Sequence, residues 1–511
     1  MKKKFGKLSI LAALSLSAVL VATGCGGDKK GADTGKKTAE QVAAEFEKES
    51  KSIRVFFGDT KGTDNDEVSA EVSKLSKEKI GVEVEMVFFG AGEYDQKMPK
   101  LMATNEQMDI GFDSGDSFVS RARDGAYYDI SADLDQYPEL RDLFGEEFLG
   151  GVTVDGGIYG IPTLKEMAEA WAIYIDQETL DRHNIKASSI KTLADAEVIL
   201  EALKSEGRLG FNIGNKGEHV AFGELNQYDV VTGPFVISND ESVAPDKKEI
   251  VNYYETEEFR EYVELLHDWY GKGYISEDVL ENGTDTYSTK VNDNSSLRGI
   301  TYVCYAPLNE VGQSKAVGKE MTPILLTQPT ISNASTRGSI YCIYKKSKNV
   351  QSSLRFLQLW NTDKEVNTLI KFGIEGKHYN FIEEDGVKKV KKVDGATSMY
   401  LNQNWRSQNV LISQLEEGEP ADKYEQYEEF NKNARSSVVL GFTPDLSSLN
   451  AELSGCNAVV TTKAASLLTG AIDPNDKENG VDAVVKEMKQ AGSDKVITEI
   501  QKQYLSWLQD K

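Results

Sequence analysis

The sequence predicts an α/β protein in which helices flank a parallel sheet. Two observations carry this prediction: short apolar strands alternate with amphipathic helical patterns from residue 53 onward, and no internal repeat or low-complexity array interrupts them. A third observation sets the scale, because about 460 residues follow the N-terminal segment, which is enough for two or more lobes.

The first elements of the body form a βαβ unit. "SIRVFFGD" reads as a short strand, and "VEVEMVFF" alternates like a second one. Between them Val68, Val72 and Leu75 share one helical face, and Gly81 marks the end of the helix. Two strands joined in this way are expected to be parallel, with a right-handed crossover. A helix in "YDQKMPKLMAT" and a strand in "DIGFD" continue the pattern.

Three later stretches predict helices with apolar stripes: "KTLADAEVILEALKSEG", "EEFREYVELLHDWYGKGYI" and "VQSSLRFLQLW". In the second of them, Tyr262, Leu265, Leu266 and Trp269 recur at helical spacing. Such a stripe is typical of a helix that packs against a sheet or another helix. We therefore interpret these aromatic residues as core residues and not as ligand contacts.

The N-terminus has the pattern of a secretory signal. Four lysines without an acid precede an apolar run, Leu8 to Thr23, that is shorter than the roughly 20 residues of a membrane-spanning helix. "ATGC" resembles a bacterial lipobox, in which the chain is cut before Cys25 and that cysteine is lipidated. The alternative is an ordinary secretory signal with an incidental Cys25. We predict a signal peptide at 1–24 and, at 25–51, the lipidated cysteine with a flexible tether that contains a short helix from Ala39 to Ser50.

The charge balance excludes one class of partner. Removal of residues 1–24 takes four lysines from the 58 basic residues and none from the 82 acidic ones, which leaves a net charge of −28. Nucleic-acid binding requires a basic surface, so no nucleic-acid partner is expected. Three cysteines remain in the body, Cys304, Cys342 and Cys456. We interpret them as buried thiols, and a disulfide between Cys304 and Cys342 stays an alternative.

The sequence contains no motif that identifies an enzyme or a cofactor. A phosphate loop, a GxSxG elbow, a dinucleotide fingerprint, HExxH and CxxC are all missing, and the four histidines are far apart in sequence. We therefore predict no catalytic residues, no cofactor and no metal site. A pair of acids acting as in a glycosidase stays open, because 82 acidic residues offer many such pairs.

A binding site is instead indicated at the ends of two predicted strands. Asp59 follows "FFG", and Asp113 and Ser114 follow "GF". In a parallel α/β sheet, ligands bind in the crevice beyond the carboxyl ends of the strands. A carboxylate there can accept hydrogen bonds from two sugar hydroxyls, although a turn or helix-capping role would explain either aspartate as well.

Three longer stretches resemble a known family. "GGIYGIPTLKEMAEAWAIYIDQETLDRHNI" resembles the segment that crosses between lobes in family 1 extracellular solute-binding proteins, the maltose-binding-like components of sugar ABC transporters. "STRGSIYCIYKKSKNVQSSLRFLQLWNTDKEVNTLIKFGIEGKHYN" and "GEPADKYEQYEEFNKNARSSVVLGFTPDLSSLNAELSGCNAVV" resemble a Gram-positive lipoprotein branch of that family. The resemblance runs from about Ile53 to the C-terminus, with the first lobe matching in pattern only.

The resemblance implies a two-lobed, periplasmic-binding-protein-like type II fold of α/β class, with hinge strands between the lobes. The first lobe would comprise residues 52–164 and 320–362, and the second lobe residues 165–319 and 363–511. The hinges would lie near Pro162 to Glu166, near Met321 and near Asn361.

The resemblance also implies ligand-contact residues, which lie after strands, at the crossings or in late aromatic segments. They are Asp59, Asp113, Ser114, Lys165, Glu166, Tyr305, Arg337, Trp405 and Arg406. Tyr305 and Trp405 would provide aromatic walls for sugar rings, and the others would bind polar groups. Maltose-binding proteins show "FW" after the third strand, where this chain has Phe112 and Asp113, so maltodextrin is a doubtful ligand.

The sequence therefore predicts a binding protein and not an enzyme. It would be a monomeric lipoprotein on the extracellular face of the cell membrane, anchored through Cys25. It would capture a carbohydrate, with an oligosaccharide as the expected ligand, between two lobes and deliver it to the transmembrane subunits of an ABC permease. Two alternatives from other classes stay open, a surface glycoside hydrolase and a peptide-binding or sensing lipoprotein.

Overall fold

A computed structural model describes residues 35–58, 64–90, 92–104, 106–208, 210–211, 213, 227–281, 301–394 and 406–510. At residues 116, 301–304, 316 and 510 it describes the main chain only. The predictions for Cys25, Asp59 and Trp405 lie outside the described residues.

The strands are β1 Ser52–Phe57, β2 Glu83–Phe88, β3 Ile110–Asp113, β4 Thr153–Val154, β5 Gly157–Ile158, β6 Ile161–Pro162, β7 Ala170–Asp176, β8 Tyr228–Thr232, β9 Phe235–Ser238, β10 Ile250–Asn252, β11 Thr301–Tyr305, β12 Met321–Leu325, β13 Thr330–Ile331, β14 Ile340–Ile343, β15 Tyr379–Glu384, β16 Val387–Lys392, β17 Leu415–Glu416 and β18 Arg435–Ser436.

The α-helices are α1 Ala39–Phe46, α2 Asn65–Ile80, α3 Glu93–Met102, α4 Gly115–Arg123, α5 Pro138–Gly151, α6 Gln177–Arg182, α7 Glu197–Ser205, α8 Glu257–Gly271, α9 Asn309–Val317, α10 Asn333–Thr336, α11 Val350–Thr362, α12 Lys364–Phe372, α13 Lys423–Lys432, α14 Asn450–Val459, α15 Ala465–Leu467, α16 Val481–Ala491 and α17 Ser493–Asp510. Short 3₁₀ turns and one π-helical turn at Val460–Ala464 connect some of them.

The first sheet confirms the predicted βαβ unit. Its strand order is β2-β1-β3-β14-β6, with β1 parallel to both β2 and β3 and with β14 antiparallel to its neighbours. Gly81 ends α2 in the left-handed conformation, with φ of 73°, as expected for a glycine stop. Phe57, Tyr341 and Trp360 pack ring to ring beneath this sheet, with centroids 4.9–5.9 Å apart.

A second hydrophobic core forms around another sheet. β7 is its central strand and pairs antiparallel with β11 and β12. The predicted helices α7 and α8 bury their apolar stripes here, with Trp269 fully enclosed, which confirms that stripe as core. The α/β lobes predicted from the sequence therefore correspond to two separate cores.

The cysteines fit the thiol prediction where they are described. Cys342 and Cys456 are free and buried. Cys342 lies on β14 of the first sheet, whereas Cys304 belongs to β11 of the second sheet. The alternative disulfide between Cys304 and Cys342 is therefore absent, because the thiol of Cys342 is free.

The packed body begins earlier than residue 52. α1 buries Val42 and Phe46 in the first core, and the Arg355 guanidinium lies 3.9 Å from the centroid of the Phe46 ring. Lys37 Nζ lies 2.9 Å from the buried carboxylate of Asp133, and Lys37 N donates to Ala132 O. The segment 37–46, which the sequence assigns to the tether, is thus part of the first lobe.

The two cores also divide the chain differently from the predicted boundaries. Residues 320–326 belong to the second lobe, because β12 pairs with β7 and Ile324 lies in the second core. Helix α12 belongs to the first lobe, because Val366 and Ile370 lie in the first core. Apolar patterns give no information on which of two sheets an element packs against, so the sequence alone could not assign these elements.

Within the described ranges, the chain passes between the cores three times. The crossings fall within residues 168–172, 327–332 and 412–437, because α10 already packs on α5 of the first lobe. We call them the first, second and third crossing segments. The second and third lie later in the chain than the hinges expected near Met321 and Asn361.

The packing of α1 generates a stability prediction. Phe46→Ala is expected to lower the free energy of unfolding by about 3 kcal/mol, because a large buried ring leaves a cavity in the core. The adjacent Glu47→Ala is the matched control, with an expected change within about 0.5 kcal/mol, because its ion pair with Lys51 is exposed. Urea unfolding measures both. Equal midpoints for the two variants would show that α1 does not contribute to the cooperative unit.

Candidate ligand-binding cleft

The three crossing segments are joined by main-chain hydrogen bonds. Glu169 and Thr330 each donate an N–H to the carbonyl of the other, both at 2.9 Å. β13 and β18 then pair in parallel, and Ser437 N donates to Ile331 O at 2.8 Å. One ribbon of backbone therefore contains all three crossings of the chain between the two lobes that the structure describes.

Asn431 holds the first crossing segment from the side. Its Oδ1 accepts hydrogen bonds from Met167 N at 2.6 Å and Ala168 N at 3.1 Å, and its Nδ2 donates to Lys165 O at 2.7 Å. These three backbone groups have no strand partner at this point. The side chain at the end of α13 thus replaces a missing strand and fixes the direction in which the chain leaves the first lobe.

Side chains alternate between the two faces of β7 and of the residues just before it. Ala170 is paired with Tyr305, which packs against the small apolar cluster containing Ala172, so these residues lie on one face. Glu169 and Trp171 lie on the opposite face, where they line a cavity of about 510 Å³. We call these the Tyr305 face and the Trp171 face of the crossing.

On the Tyr305 face, aromatic rings meet acidic side chains. The rings of Tyr305 and Phe430 pack edge to face, with centroids 5.9 Å apart. Burial raises the pKa of Tyr305, and the charge of Glu310 raises it further. Burial also raises the pKa of Tyr427, and the charges of Glu166, of a further glutamate and again of Glu310 raise this pKa as well. These residues therefore share one partly desolvated environment.

Two predicted site residues, Lys165 and Glu166, lie near Tyr427. Lys165 Nζ lies 3.4 Å from Glu166 Oε1, and both side chains are partly exposed. Glu166 acts electrostatically on Tyr427, as described above. Glu166 and Tyr305 are therefore linked through Tyr427 and Glu310, and Lys165 is linked to them through Glu166. Ligand contacts by Lys165, Glu166 and Tyr305 stay predictions.

Arg406 connects a late segment to the edge of the first sheet. Its Nη1 donates to Gly58 O at 2.7 Å, directly after β1, and its guanidinium lies 4.7 Å from the centroid of the Phe112 ring. Tyr341 Oη donates to Arg406 O at 3.0 Å. The residues before and after these contacts, Trp405 and Asp59, are outside the described part of the chain.

Asp113 is engaged in contacts within the first lobe. It is 2% exposed, and its Oδ1 accepts from Ser114 N at 2.8 Å, from Ser117 Oγ at 2.7 Å and from Arg121 Nη1 at 2.8 Å. Its Oδ2 accepts from Tyr127 Oη. These contacts match the turn or capping role weighed from the sequence. Ligand contacts by Asp113 and Ser114 stay predictions.

Arg337 lies apart from the Tyr305 group. Its guanidinium is buried, with Nε donating to Gly151 O at 2.5 Å and Nη2 donating to Thr443 Oγ1 at 2.6 Å. It lines the cavity on the Trp171 face. The structure therefore places Arg337 on the opposite face of the crossing from Tyr305.

Three residues of the Tyr305 face were not among the ligand contacts predicted from the sequence: Glu310, Tyr427 and Phe430. A signal was available in "KYEQYEEFNK", where Tyr424, Tyr427 and Phe430 recur every three residues along α13. The many charges between them hide the stripe, because the helix as a whole looks like a solvent-exposed one. No group of three or more His, Cys, Asp or Glu residues suited to a metal occurs among the residues that the structure describes.

The fold and the cleft define a class of protein. Residues 71–374 match the model of the bacterial extracellular solute-binding proteins, and the chain belongs to this family. The family is extracellular, so the protein works at or beyond the cell surface. Residues 438–509 match a domain of unknown function, DUF3502. Within the described residues, no helix is long and apolar enough to cross a membrane.

Individual relatives narrow the comparison. A carbohydrate ABC transporter substrate-binding protein of Streptococcus pneumoniae serotype 4 is 28% identical over 522 residues, covering 100% of this chain and 99% of the relative. The crystal structure of the N-glycan transport solute binding protein NgtS from Streptococcus pneumoniae superposes with a TM-score of 0.76 at 24% identity, covering 90% of this chain and 99% of NgtS. NgtS in complex with Man5GlcNAc superposes with a TM-score of 0.64 at the same identity and coverage.

The clamp by Asn431 generates a prediction. Asn431→Ala is expected to lower the free energy of unfolding by about 1–3 kcal/mol, because two main-chain N–H groups lose their acceptor. The amides of Met167 and Ala168 should then exchange faster with deuterium than in the native protein. Asn433→Ala is the control, since that exposed side chain donates only to Glu429 on the same helix. Unchanged protection of the two amides would contradict the clamp.

Proposed function

We propose that the protein is the substrate-binding lipoprotein of an ABC importer and that it captures an oligosaccharide between its two lobes. The observation that carries this proposal is the Tyr305 face, where rings and carboxylates converge beside the described crossings of the chain between the lobes. A ligand held there would touch both lobes and would favour their closure about the crossing segments.

The chemistry of the Tyr305 face suits a carbohydrate. Tyr and Phe rings stack on the apolar C–H faces of sugars, and carboxylates accept hydrogen bonds from hydroxyl groups. Lys165 and Glu166 offer a donor and an acceptor within 3.4 Å of each other. The carbohydrate importer protein that is 28% identical over the whole chain supports the same ligand class, and the glycan complexes of NgtS support an oligosaccharide.

We propose no catalytic step. Binding and release are sufficient for transport, and the acids of the Tyr305 face need only accept hydrogen bonds. A surface glycoside hydrolase is the competing function, and product formed from any bound oligosaccharide would favour it. A peptide-binding or sensing role is the other, and thermal stabilisation by peptides but not by glycans would favour that role.

The proposed partners follow from the importer function. The loaded protein would dock as a monomer on the transmembrane subunits of an ABC permease. It would be held on the extracellular face of the cell membrane by a lipid on Cys25. The observations that support the anchor are the basic and apolar residues before Cys25 and the "ATGC" stretch.

Replacement of the central ring tests the ligand site. Tyr305→Ala is expected to weaken binding of Man5GlcNAc, or of the best glycan from a screened panel, at least tenfold, or about 1.4 kcal/mol. The same loss is expected for Trp405→Ala, the second aromatic wall predicted from the sequence. Tyr270→Ala is the control, because that ring lies on α8 in the second core, away from the crossing. Isothermal titration calorimetry gives the affinities, and native-like affinity of Tyr305→Ala would remove Tyr305 from the site.

Replacement of the cysteine tests the anchor. Cys25→Ala is expected to release the protein from the membrane fraction into the medium, because the acyl chains attached at this position are lost. Fractionation of the producing bacterium, followed by a high-salt wash of the membranes, measures the distribution. Ser17→Ala, in the apolar run, is the control and should stay membrane-bound. A Cys25→Ala protein that resists the salt wash would rule out lipid anchoring at this cysteine.

A further inference from the structure

The C-terminal domain of unknown function begins with a segment, residues 438–445, that is built into the second core. Val439 and Phe442 are buried there, and the Phe442 ring lies 5.5 Å from the centroids of both Tyr504 and Trp507 on α17. Asp445 N donates to Gln503 Oε1 at 2.7 Å. The side chains of this segment therefore attach it to the second lobe.

The main chain of the same segment is held by Asn333. The Asn333 Nδ2 donates to Val439 O at 3.0 Å and to Phe442 O at 2.8 Å, and Gly441 N donates to Asn333 Oδ1 at 2.9 Å. Asn333 begins α10, a helix that packs on α5 of the first lobe. One amide side chain from the first lobe therefore satisfies three backbone groups of the second.

Two arginines of the first lobe continue these contacts. Arg123, at the end of α4, donates through Nη1 to Pro444 O at 3.0 Å and through Nη2 to Thr443 O at 2.7 Å. Arg337 donates to Thr443 Oγ1 and, within the first lobe, to Gly151 O. Charged donors on carbonyl oxygens are stronger than neutral ones, so the segment is firmly attached.

The backbones approach closely at the same point. Gly441 has φ of 86°, a conformation that side chains rarely adopt, and a Cβ added to it would lie 3.3 Å from Gly150 O. A glycine therefore lets the segment lie directly on the end of α5 without the strain that a side chain would bring in this conformation.

These contacts lie on one particular face of the crossing, and this determines how closure of the lobes would affect them. Asn333, Arg337 and Ser437 line the cavity that also contains Trp171, so they lie on the Trp171 face. When two lobes rotate about a ribbon between them, the gap on one face narrows and the gap on the other widens. Closure of the lobes on the Tyr305 face must therefore stretch or break contacts on the Trp171 face.

We propose that the leading segment of the C-terminal domain, residues 438–445, is a latch that holds the lobes open. Arg123, Asn333 and Arg337 grip the latch from the first lobe, while Val439 and Phe442 anchor it in the second. The latch sets how much of the binding energy of a ligand is used for closure. The direction of its effect rests on the ligand entering at the Tyr305 face, as proposed above, whereas the existence of the latch does not.

Arg123→Ala tests the latch, because it removes both contacts to residues 443–444 without touching the Tyr305 face. Asp155→Asn is the matched control: Asp155 pairs with the same guanidinium at 3.0 Å within the first lobe, so its loss leaves the contacts between the lobes in place. Asn333→Ala is a second, independent variant that removes three other contacts of the latch. Circular dichroism of each variant establishes that it is folded.

The first measurement needs no ligand. Nitroxide labels on Lys74→Cys in α2 and Lys502→Cys in α17 report the distance between the lobes, in a Cys25→Ser, Cys304→Ser background. We expect Arg123→Ala and Asn333→Ala to shift or broaden the distance distribution, and Asp155→Asn to reproduce that of the native protein. Distributions identical to the native one in both latch variants would overturn the latch.

The second measurement uses a glycan. Affinity for Man5GlcNAc, or for the best glycan of the panel, is expected to rise about threefold to tenfold in both latch variants, because a larger fraction of the free protein can close. Unchanged or weaker binding, with a shifted distance distribution, would overturn the role in holding the lobes open. If no carbohydrate binds the native protein, the proposed function fails, and the distance measurement still decides whether the latch exists.

Discussion

The main-chain hydrogen bonds between the crossing segments are the constraint on which the rest of the molecule depends. Glu169 and Thr330 bind each other, and β13 binds β18, so three separate parts of the chain pass between the lobes as one ribbon. A ribbon of extended backbone has two faces. Each residue near the crossing is therefore committed to one of them by the alternation of side chains. The aromatic and acidic group lies on one face, and the contacts of residues 438–445 lie on the other.

Polar side chains support this ribbon where strands are missing. Asn431 serves three backbone groups of the first crossing segment, and Asn333 serves three of the segment that follows β18. A buried backbone group without a partner is costly, so each asparagine fixes one local path of the chain. Asp113 and its partners do the same at the end of β3. Shape near the cleft is thus determined by hydrogen bonds as much as by apolar packing.

Much of the fold was predictable from the sequence, because local patterns report local structure. The βαβ unit, the strand that ends at Asp113 and the stripe of α8 were all legible from their periodicity. The lobe to which β12 and α12 belong was not, because an apolar pattern is the same on either sheet. The third crossing rests on a strand of two residues, β18, which has no periodicity to detect. In the candidate site, Tyr305 and Glu166 were named from the resemblance, whereas the ring of Phe430 was hidden among charges.

The docking of α1 has a consequence for mechanics. The chain reaches the folded body through Lys37, which is pinned to Asp133 in the first lobe. If the protein is tied to the cell surface through its N-terminus, the restraint acts on that lobe alone. The first lobe would then be the stationary part of the protein, and the second lobe, which contains the C-terminal helices, would be the part that moves. Any permease that distinguishes the loaded protein would then have to detect the position of the second lobe relative to a stationary first lobe.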